Sequence, residues 1–226
     1  AKKGFPEARG LVIGDQLLIP VRDVTDYTRI LSVQEIGADG VKKFLPGGRT
    51  RLGVYRLGVM RADRVVLCEG YATGLSLDAA LSRLARPHAV IVCFSARNLE
   101  LVAQHFPNAI VAADNDASRT GENSAKATGL TWTMPPEIGT DFNDLHALEG
   151  LHVVRHQIEA RISELGWRVG PPAARHNHNG GRGRAPLSKI QSVDELLERF
   201  SLVYGQGGMV FDHQEHCLIS LSDMRD

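Results

Sequence analysis

The chain has 226 residues, of which 43% are hydrophobic and 23% are charged, and its 26 basic residues balance 26 acidic ones. A chain of this size can bury one good core and a small second one, whereas zero net charge argues against a strongly basic nucleic-acid binder. It contains no run of about 18 apolar residues for a membrane span and no apolar signal segment near its start, so we expect a soluble, cytoplasmic protein without a membrane partner.

The first part of the chain, residues 1–62, is predicted to be a β-rich subdomain. Short strands are predicted at 16–21, 30–36 and 41–45, because each of these apolar or alternating runs is bounded by turn residues. The Asp39-Gly40 pair between the last two runs is typical of a hairpin turn.

Positive charge is concentrated between residues 42 and 64, where Asp63 is the one acidic residue. The basic residues there are Lys42, Lys43, Arg49, Arg51, Arg56, Arg61 and Arg64, with Phe44 and Tyr55 among them. Such a stretch can follow a phosphate backbone and stack a base. An ordinary solvated β surface is the alternative, and the sequence leaves both open.

Strand and helix patterns alternate over residues 63–168. Strands are predicted at 64–68, 89–94, 109–113 and 130–134, and helices at 73–84, 98–105 and 123–127. This alternation, with continuous apolar strands, is typical of a parallel sheet flanked by helices, so the predicted fold class is α/β. One further amphipathic helix is predicted at 145–165 from an apolar stripe formed by Leu148, Leu151, Val154, Ile158 and Ile162.

Acidic residues follow the predicted strands. Glu69 comes directly after the first, Asp114 and Asp116 come after the third, and Asp141 and Asp144 lie further on. Because the carboxyl ends of parallel strands meet at one edge of a sheet, up to five carboxylates should crowd this edge. Two carboxylates about 4 Å apart repel each other by roughly 4 kcal/mol at an effective dielectric constant near 20, and a bound cation reverses that repulsion. Oxygen ligands of this kind suit Mg²⁺ or Mn²⁺.

The spacing suggests a role for each acid. Asp114 and Asp116 are two residues apart, so on an extended strand end both should face one metal ion, with Asp141 or Asp144 as a further ligand, directly or through water. Glu69 is predicted to be either a second metal ligand or an acid/base group. Each acid taken singly is as well explained by helix capping, an alternative that all five together disfavour.

The composition changes after residue 168. Residues 169–188 are rich in Gly, Pro, Asn and Arg and are predicted to be a flexible linker. Beyond it, a capping box at Ser192–Glu195 predicts a helix through Phe200, followed by hairpin-like runs at 202–204 and 208–211. Residues 189–226 are too poor in apolar residues for their own core, so we expect them to begin a further domain.

The three cysteines are Cys68, Cys93 and Cys217. Their spacing fits no zinc or redox motif, and the first two lie inside apolar runs. All three are predicted to be buried, reduced thiols.

These acidic motifs resemble the TOPRIM domain that bacterial primases, topoisomerases, overcoming-lysogenization-type nucleases and recombination mediators share. The string from Glu69 to Gly74 is similar to the EGYATA signature of phage and plasmid primases, with Gly74 in place of alanine, a change we expect to matter little. The stretches 18–23, 43–49 and 139–145 also resemble that group, so the similarity covers about residues 5–165.

The resemblance implies a TOPRIM-like fold and the catalytic core of a DNA primase, which makes short primers on single-stranded DNA by nucleotidyl transfer with Mg²⁺ or Mn²⁺. Its implied partners are a single-stranded template, nucleoside triphosphates and a replicative helicase domain in the same or another chain. The family also carries a zinc-binding module and a helicase, neither of which is complete here. The implied setting is a bacterial host cell, with a phage, prophage or plasmid gene.

The implied catalytic residues are Glu69, Asp114 and Asp116, and the implied metal ligands are these three with Asp141 and Asp144. The candidates for binding nucleotide or DNA are Lys42, Lys43, Arg49, Arg51, Gly70, Asn98 and Arg119. Gly70 is among them because a residue without a side chain lets substrate approach closely. Tyr71 is expected to pack or stack, and not to act as a topoisomerase nucleophile.

Two other functions stay open. A nuclease would use the same carboxylates and metal ions to direct water instead of a 3′-hydroxyl group. A non-catalytic DNA-binding or recombination-mediator module would carry a vestigial site, which the intact Glu69, Asp114 and Asp116 argue against.

Overall fold

The computed structural model describes residues 11–59, 62, 64–84 and 87–167, and the backbone of three short strands beyond them. The chain divides into two compact units, residues 1–175 and 176–226. The predicted linker at 169–188 and the predicted helix up to residue 199 lie outside the described residues. The last residue of that predicted helix, Phe200, is instead the first residue of a strand.

The first unit begins with antiparallel strands, β1 (Leu11–Ile13), β2 (Gln16–Asp23), β3 (Ile30–Gly37) and β4 (Lys42–Phe44). Each pairs with the next along the chain. The predicted hairpin is confirmed, since Ile36 pairs with Lys42 and Gly40 adopts a φ of 88° in the turn between them. A left-handed φ is disfavoured for residues with a side chain, which explains the glycine.

The alternating part contains β6 (Val65–Cys68), α1 (Tyr71–Ser82), β7 (Ala89–Val92), α2 (Ala96–Ala103), β8 (Ile110–Ala112), α3 (Thr120–Ala127) and β9 (Thr131–Thr133). Strands β7, β6, β8 and β9 lie side by side and run parallel. All residues of β6, β7 and β8 are buried, which is why these strands are continuous apolar runs in the sequence. The α/β class and this order of elements are confirmed.

A fifth N-terminal strand, β5 (Gly53–Gly58), joins the two parts. It runs antiparallel both to β2 and to β7, so one sheet has the order β4-β3-β2-β5-β7-β6-β8-β9, with β1 paired to β2. Val54 and Leu57 of β5 are buried. The sheet therefore continues across the predicted boundary at residue 62.

The single helix predicted at 145–165 is wrong. Two helices occur there, α4 (Phe142–Glu149) and α5 (Leu151–Glu164), and they meet at Gly150, whose φ is 93°. A left-handed glycine ends an α-helix, so the chain changes direction. The apolar stripe survives within α5, where Ile158 and Ile162 are buried, whereas Leu148 of α4 is 70% exposed.

Alternate residues of the parallel strands face two cores. Leu77, Phe142 and Ile158 belong to the core that α1, α4 and α5 cover, and Leu99 and Val102 to the core that α2 covers. The side chains within one strand divide between these cores because successive strand residues point to opposite faces. None of the described helices has the length and apolar character needed to cross a membrane.

Cys68 and Cys93 are buried free thiols, as predicted. The side chain of Cys217 lies outside the described residues. The backbone of the second unit forms β10 (Phe200–Val203), β11 (Met209–Asp212) and β12 (Cys217–Ser220), an antiparallel sheet. The hairpin of β10 and β11 was predicted, and β12 was not.

Candidate functional site

Three acidic segments meet at the carboxyl edge of the parallel strands. Glu69 follows β6 directly, and Asp114 lies two residues after β8. The segment before α4 is tied to the second of these, because the Asn115 N–H donates to the Thr140 carbonyl at 3.0 Å and the Gly139 N–H donates to the Asn115 carbonyl at 2.6 Å. The structure therefore brings the predicted acids to one edge.

Glu69 is fixed by two neighbours from the loop after β7. Its backbone carbonyl accepts a hydrogen bond from the Phe94 N–H at 2.8 Å, and its carboxylate accepts one from the Ala96 N–H, the first residue of α2. Burial raises the pKa of Glu69, and repulsion from Asp116 raises it further. A carboxyl group with a raised pKa can hold or release a proton closer to neutral pH.

Among the five acids, Asp114 has the least favourable electrostatic surroundings for a negative charge. Burial, followed by repulsion from Glu69 and Asp141, raises the pKa of Asp114 to about 7, although the charge of Lys42 opposes that shift. Its Oδ1 atom is buried and accepts no hydrogen bond from the residues that the structure describes. A buried carboxylate oxygen without a donor is costly, and a cation would satisfy it.

Asp116 differs from Asp114 in its surroundings. Its carboxylate accepts hydrogen bonds from the Ser118 hydroxyl, from the Gly121 N–H at 2.8 Å and from the Thr120 N–H at 3.1 Å. These bonds lower the pKa of Asp116 to about 2. Because the two N–H groups belong to the first turn of α3, Asp116 acts as a cap for that helix.

Asp141 and Asp144 form a capping box at the start of α4. Asp141 Oδ1 accepts from the N–H groups of Asn143 at 2.6 Å and Asp144 at 2.9 Å, and Asp144 Oδ2 accepts from the Asp141 N–H at 3.2 Å. The capping alternative thus describes three of the five acids. Capping does not remove the charge of Asp141, which still raises the pKa of Asp114.

A divalent cation fits the chemistry of this edge, because the acids supply oxygen ligands and Asp114 has an unsatisfied buried oxygen. Within the described residues, however, no group of three or more His, Cys, Asp or Glu side chains is arranged to hold a metal ion. Asp114 and Glu69 are the acids whose raised pKa values a cation would lower. We therefore keep these two as the primary candidate ligands.

Gly121 is a further residue of the candidate site, and the sequence patterns did not indicate it. A Cβ atom at this position would lie 2.2 Å from the backbone oxygen of Asp114 and 3.2 Å from its backbone nitrogen. Only a glycine lets the start of α3 pack so closely on the segment that carries Asp114. The signal in the sequence was a glycine seven residues after Asp114, inside a region that otherwise favours a helix.

The basic residues of the N-terminal subdomain fall into two groups. Lys42 lies near enough to the acids for its charge to lower the pKa of Asp114, and its strand is held there by Phe44, whose ring packs edge-on against Phe94 at 5.8 Å. Lys43 is exposed. Arg49, in contrast, forms an ion pair with Asp23 at 3.3 Å.

Asn98, a candidate for binding nucleotide or DNA, makes its hydrogen bonds inside the protein. Its Oδ1 accepts from the Leu52 N–H at 2.7 Å, and its Nδ2 donates to the carbonyls of Gly53 and Cys93 at 2.8 Å each. Asn98 is buried, so this amide is used inside the protein. Arg119 is exposed and pairs with Glu122 at 2.7 Å.

The signature segment contains two further findings. Tyr71 is only 4% exposed and packs edge-on against Tyr55 at 5.7 Å, which confirms the packing role. A Cβ atom at Gly74 would lie 2.7 Å from a Val92 methyl group, so the change from alanine matters more than expected, because α1 sits closer to the sheet. Gly70 has an ordinary extended φ of −97°, and a Cβ atom there would meet only Thr73.

A groove of about 600 Å³ lies elsewhere, along β9 and the end of α5, and its lining includes Trp132, Arg161 and Glu164. It contains none of the five acids. The acidic edge is the candidate site, because it combines raised pKa values with an unsatisfied carboxylate oxygen.

Comparison with known proteins agrees with this geometry. Residues 64–151 match the Toprim_3 family, described as a Toprim domain. This segment is a Toprim domain. It contains all five acids together with α1, α2 and α3.

Two solved structures also resemble the chain. One is the crystal structure of the primase fragment of the bacteriophage T7 primase-helicase protein, with 14% sequence identity, a TM-score of 0.48 and coverage of 65% of this chain. This chain spans 64% of the length of that fragment. The other is bacteriophage T7 lagging-strand DNA polymerase interacting with primase domains of two gp4 subunits bound to an RNA/DNA hybrid and dTTP, with 16% identity, a TM-score of 0.47 and coverage of 70% of this chain and 79% of that chain.

Proposed function

We propose that the chain is the catalytic core of a phage- or plasmid-type DNA primase, which joins nucleotides into short primers on single-stranded DNA with Mg²⁺ or Mn²⁺. The observation that carries the proposal is the pair of acids Glu69 and Asp114 at the edge of the Toprim domain. Burial raises the pKa of both, repulsion from Asp116 raises that of Glu69 further, and repulsion from Glu69 and Asp141 raises that of Asp114 further. The resemblance of residues 69–74 to the primase signature favours nucleotidyl transfer as the reaction at these carboxylates.

In this reaction a 3′-hydroxyl group attacks the α-phosphate of a nucleoside triphosphate and pyrophosphate leaves. A bound divalent cation would supply neutralisation of the charge on the transferring phosphoryl oxygens. Asp114 would hold that cation through its unsatisfied Oδ1. Glu69, held by the Ala96 N–H, would accept the proton of the attacking hydroxyl.

The remaining residues would orient the reactants. Lys42, whose charge already acts on Asp114, would bind the triphosphate of the incoming nucleotide. Lys43, which is exposed on the same strand, would contact the template backbone. A replicative helicase domain, in this chain or another, is the proposed partner that would deliver the single strand.

Incorporation of labelled nucleotides on single-stranded DNA tests the proposal, with nucleoside triphosphates and Mn²⁺ present or omitted. We expect products only when both are present, and a loss of at least about 100-fold in Glu69→Gln, as is typical when an acid/base group is removed. Glu149→Gln, an exposed residue at the end of α4, is the matched control and should keep full activity.

A nuclease would give a different result. Metal-dependent cleavage of the DNA without any triphosphate, abolished by Glu69→Gln, would establish that alternative and reject the primase. Binding of DNA with neither cleavage nor synthesis would identify a non-catalytic module.

A further inference from the structure

One side chain joins the basic loop of the N-terminal subdomain to the start of α2. Asn98 accepts from the Leu52 N–H at 2.7 Å and donates to the Gly53 carbonyl at 2.8 Å. Leu52 has a φ of 57°, a left-handed conformation that a leucine rarely adopts. Such a conformation persists only where its surroundings impose it, and here the Asn98 amide and the Val24 N–H, which donates to the Leu52 carbonyl at 3.0 Å, both hold the residue.

This bond brings together two arginines that precede the bonded residues. Arg51 comes directly before Leu52, and Arg97 comes directly before Asn98. Both side chains are exposed, and neither has a hydrogen bond or an ion pair within the part of the chain that the structure describes. Neither guanidinium group is used inside the described part of the protein, so both are available to bind an anion.

Arg97 also lies next to the acidic edge, and the hydrogen bonds of Asn98 tie the segment that carries Arg51 to the same helix start. Arg97 follows Ala96, whose N–H group binds the Glu69 carboxylate. A nucleic-acid strand with its reacting end at Glu69 would therefore pass these side chains. Guanidinium groups bind phosphate oxygens through paired N–H donors, which makes phosphate the anion that this arrangement suits.

We propose that Arg51 and Arg97 form a phosphate-binding pair beside Glu69, and that Asn98 is the positioning residue that holds the pair together. The inference rests on the proposed function, since it assigns the pair to a nucleic-acid substrate of the same site. The phosphates belong either to the backbone of single-stranded DNA or to a nucleoside triphosphate, and the experiment has an arm for each.

The first arm measures binding of labelled oligothymidylate by fluorescence anisotropy at several salt concentrations without divalent metal. Arg51→Ala and Arg97→Ala should each reduce the slope of log affinity against log salt by about 0.7, the value for one phosphate contact on a single strand, and the double variant by about 1.4. Arg83→Ala is the control, because Arg83 is exposed at the far end of α1 and should leave the slope unchanged.

The second arm measures binding of a nucleoside triphosphate alone. If the arginine variants lose triphosphate affinity and keep the DNA slope, the pair serves the nucleotide. If neither DNA slope nor triphosphate affinity changes relative to Arg83→Ala, the phosphate-binding pair is rejected.

The positioning role needs a variant of Asn98 in two backgrounds. Asn98→Ala should lower the DNA slope in the parent but not in the Arg51→Ala, Arg97→Ala double variant, although thermal stability falls in both. Asn98→Asp keeps an acceptor for the Leu52 N–H but replaces the donor to the Gly53 and Cys93 carbonyls with a buried carboxylate oxygen, so it should lower the slope in the parent as Asn98→Ala does. If Asn98→Ala and Asn98→Asp lower stability and leave the slope of the parent intact, Asn98 only supports the fold.

The same preparations are assayed for nucleotide incorporation, so that the two proposals can fail separately. A parent protein that incorporates nucleotides while the slopes stay unchanged rejects the arginine pair alone. A parent that binds DNA through the arginines but does not incorporate nucleotides keeps the pair and rejects the primase.

Discussion

Asp114 and Asp116 are separated by a single residue, yet folding moves their pKa values in opposite directions. Asp114 loses solvent and faces other carboxylates, whereas Asp116 accepts three hydrogen bonds from its own loop. The sequence gives both residues the same environment, because each follows the same strand. The difference arises from the chain after Asp116, which turns back so that the start of α3 donates hydrogen bonds to Asp116. Asp116 is therefore a helix cap, whereas Asp114 remains a candidate ligand.

This contrast predicts that Asp114→Asn stabilises the metal-free protein at about pH 8. The pKa of Asp114 is about 7 in the folded state and 3.8 for an ordinary aspartate, so the folded protein binds an extra proton between these values. Stability therefore falls as the pH rises through this window, by at most about 4 kcal/mol, and asparagine removes that loss. Thermal melts of Asp114→Asn and of the surface control Asp15→Asn, at about pH 8 and about pH 4, check the prediction; a gain that persists at pH 4 would contradict it.

Asp116→Ala should act in the other direction. The pKa of Asp116 is about 2, so its contribution to stability is complete above 3.8 and is lost as the pH falls toward 2. Removing a cap of this kind costs about 1 kcal/mol. Urea unfolding at neutral pH should show that loss, and the difference from the parent should shrink near pH 2; an Asp116→Ala variant as stable as the parent at pH 7 would refute the capping role.

At the level of secondary structure, α3 controls where Asp114 lies. The helix begins beside Asp114, and the absent side chain of Gly121 permits a distance at which a Cβ atom would be 2.2 Å from the Asp114 carbonyl oxygen. The same residue donates its N–H to Asp116. One helix start thus places both aspartates.

We therefore expect Gly121→Ala to displace the Asp114 segment and to abolish nucleotide incorporation. Overpacking against a backbone atom should also cost about 1–3 kcal/mol of stability. Gly129→Ala, in the turn after α3, is the control: its Cβ would meet no atom within 4 Å, and only its left-handed φ of 69° is unfavourable. Equal activity in the two variants would show that the contact at Gly121 does not set the site.

The elements that the sequence predicted correctly are those whose pattern has one physical cause. Strands β6, β7 and β8 are buried on both faces, so their apolar runs are unambiguous. The helix break at Gly150 was missed because the apolar spacing continues across it. Strand β5 was missed because Tyr55 and Arg56 resemble part of a basic surface, and because its buried residues Val54 and Leu57 lie on either side of this pair without the alternation typical of a strand.

For the candidate site, the sequence predicted which acidic residues lie together but not which hydrogen bonds each of them makes. Strand ends and acidic residues indicate which carboxylates share an edge. They do not indicate which oxygens meet backbone N–H groups, and this separates Asp114 from Asp116. The role of Asn98 was also hidden, because its partners Leu52 and Gly53 are 46 and 45 residues away in the sequence.

On the scale of the whole molecule, the predicted linker at 169–188 contains the division between the two compact units at residues 175 and 176. Its Gly, Pro, Asn and Arg composition predicts that proteases cut there first. Limited digestion followed by mass spectrometry should give a stable fragment that ends near residue 168. Digestion of the Toprim domain before residues 169–188 would reject this boundary.

The continuous sheet leads to a prediction about the other boundary. Strand β5 pairs with β7 along four residues and buries Val54 and Leu57. A Toprim segment that starts at residue 63 would therefore lose the strand that covers β7. It would expose the edge of β7 to water and to other chains, which favours aggregation. We expect the fragment 63–168 to be insoluble or unfolded, and the fragment 15–168, which keeps β2 to β5, to fold. Circular dichroism and thermal unfolding of both fragments test this; cooperative unfolding of 63–168 would show that this segment folds without the N-terminal subdomain.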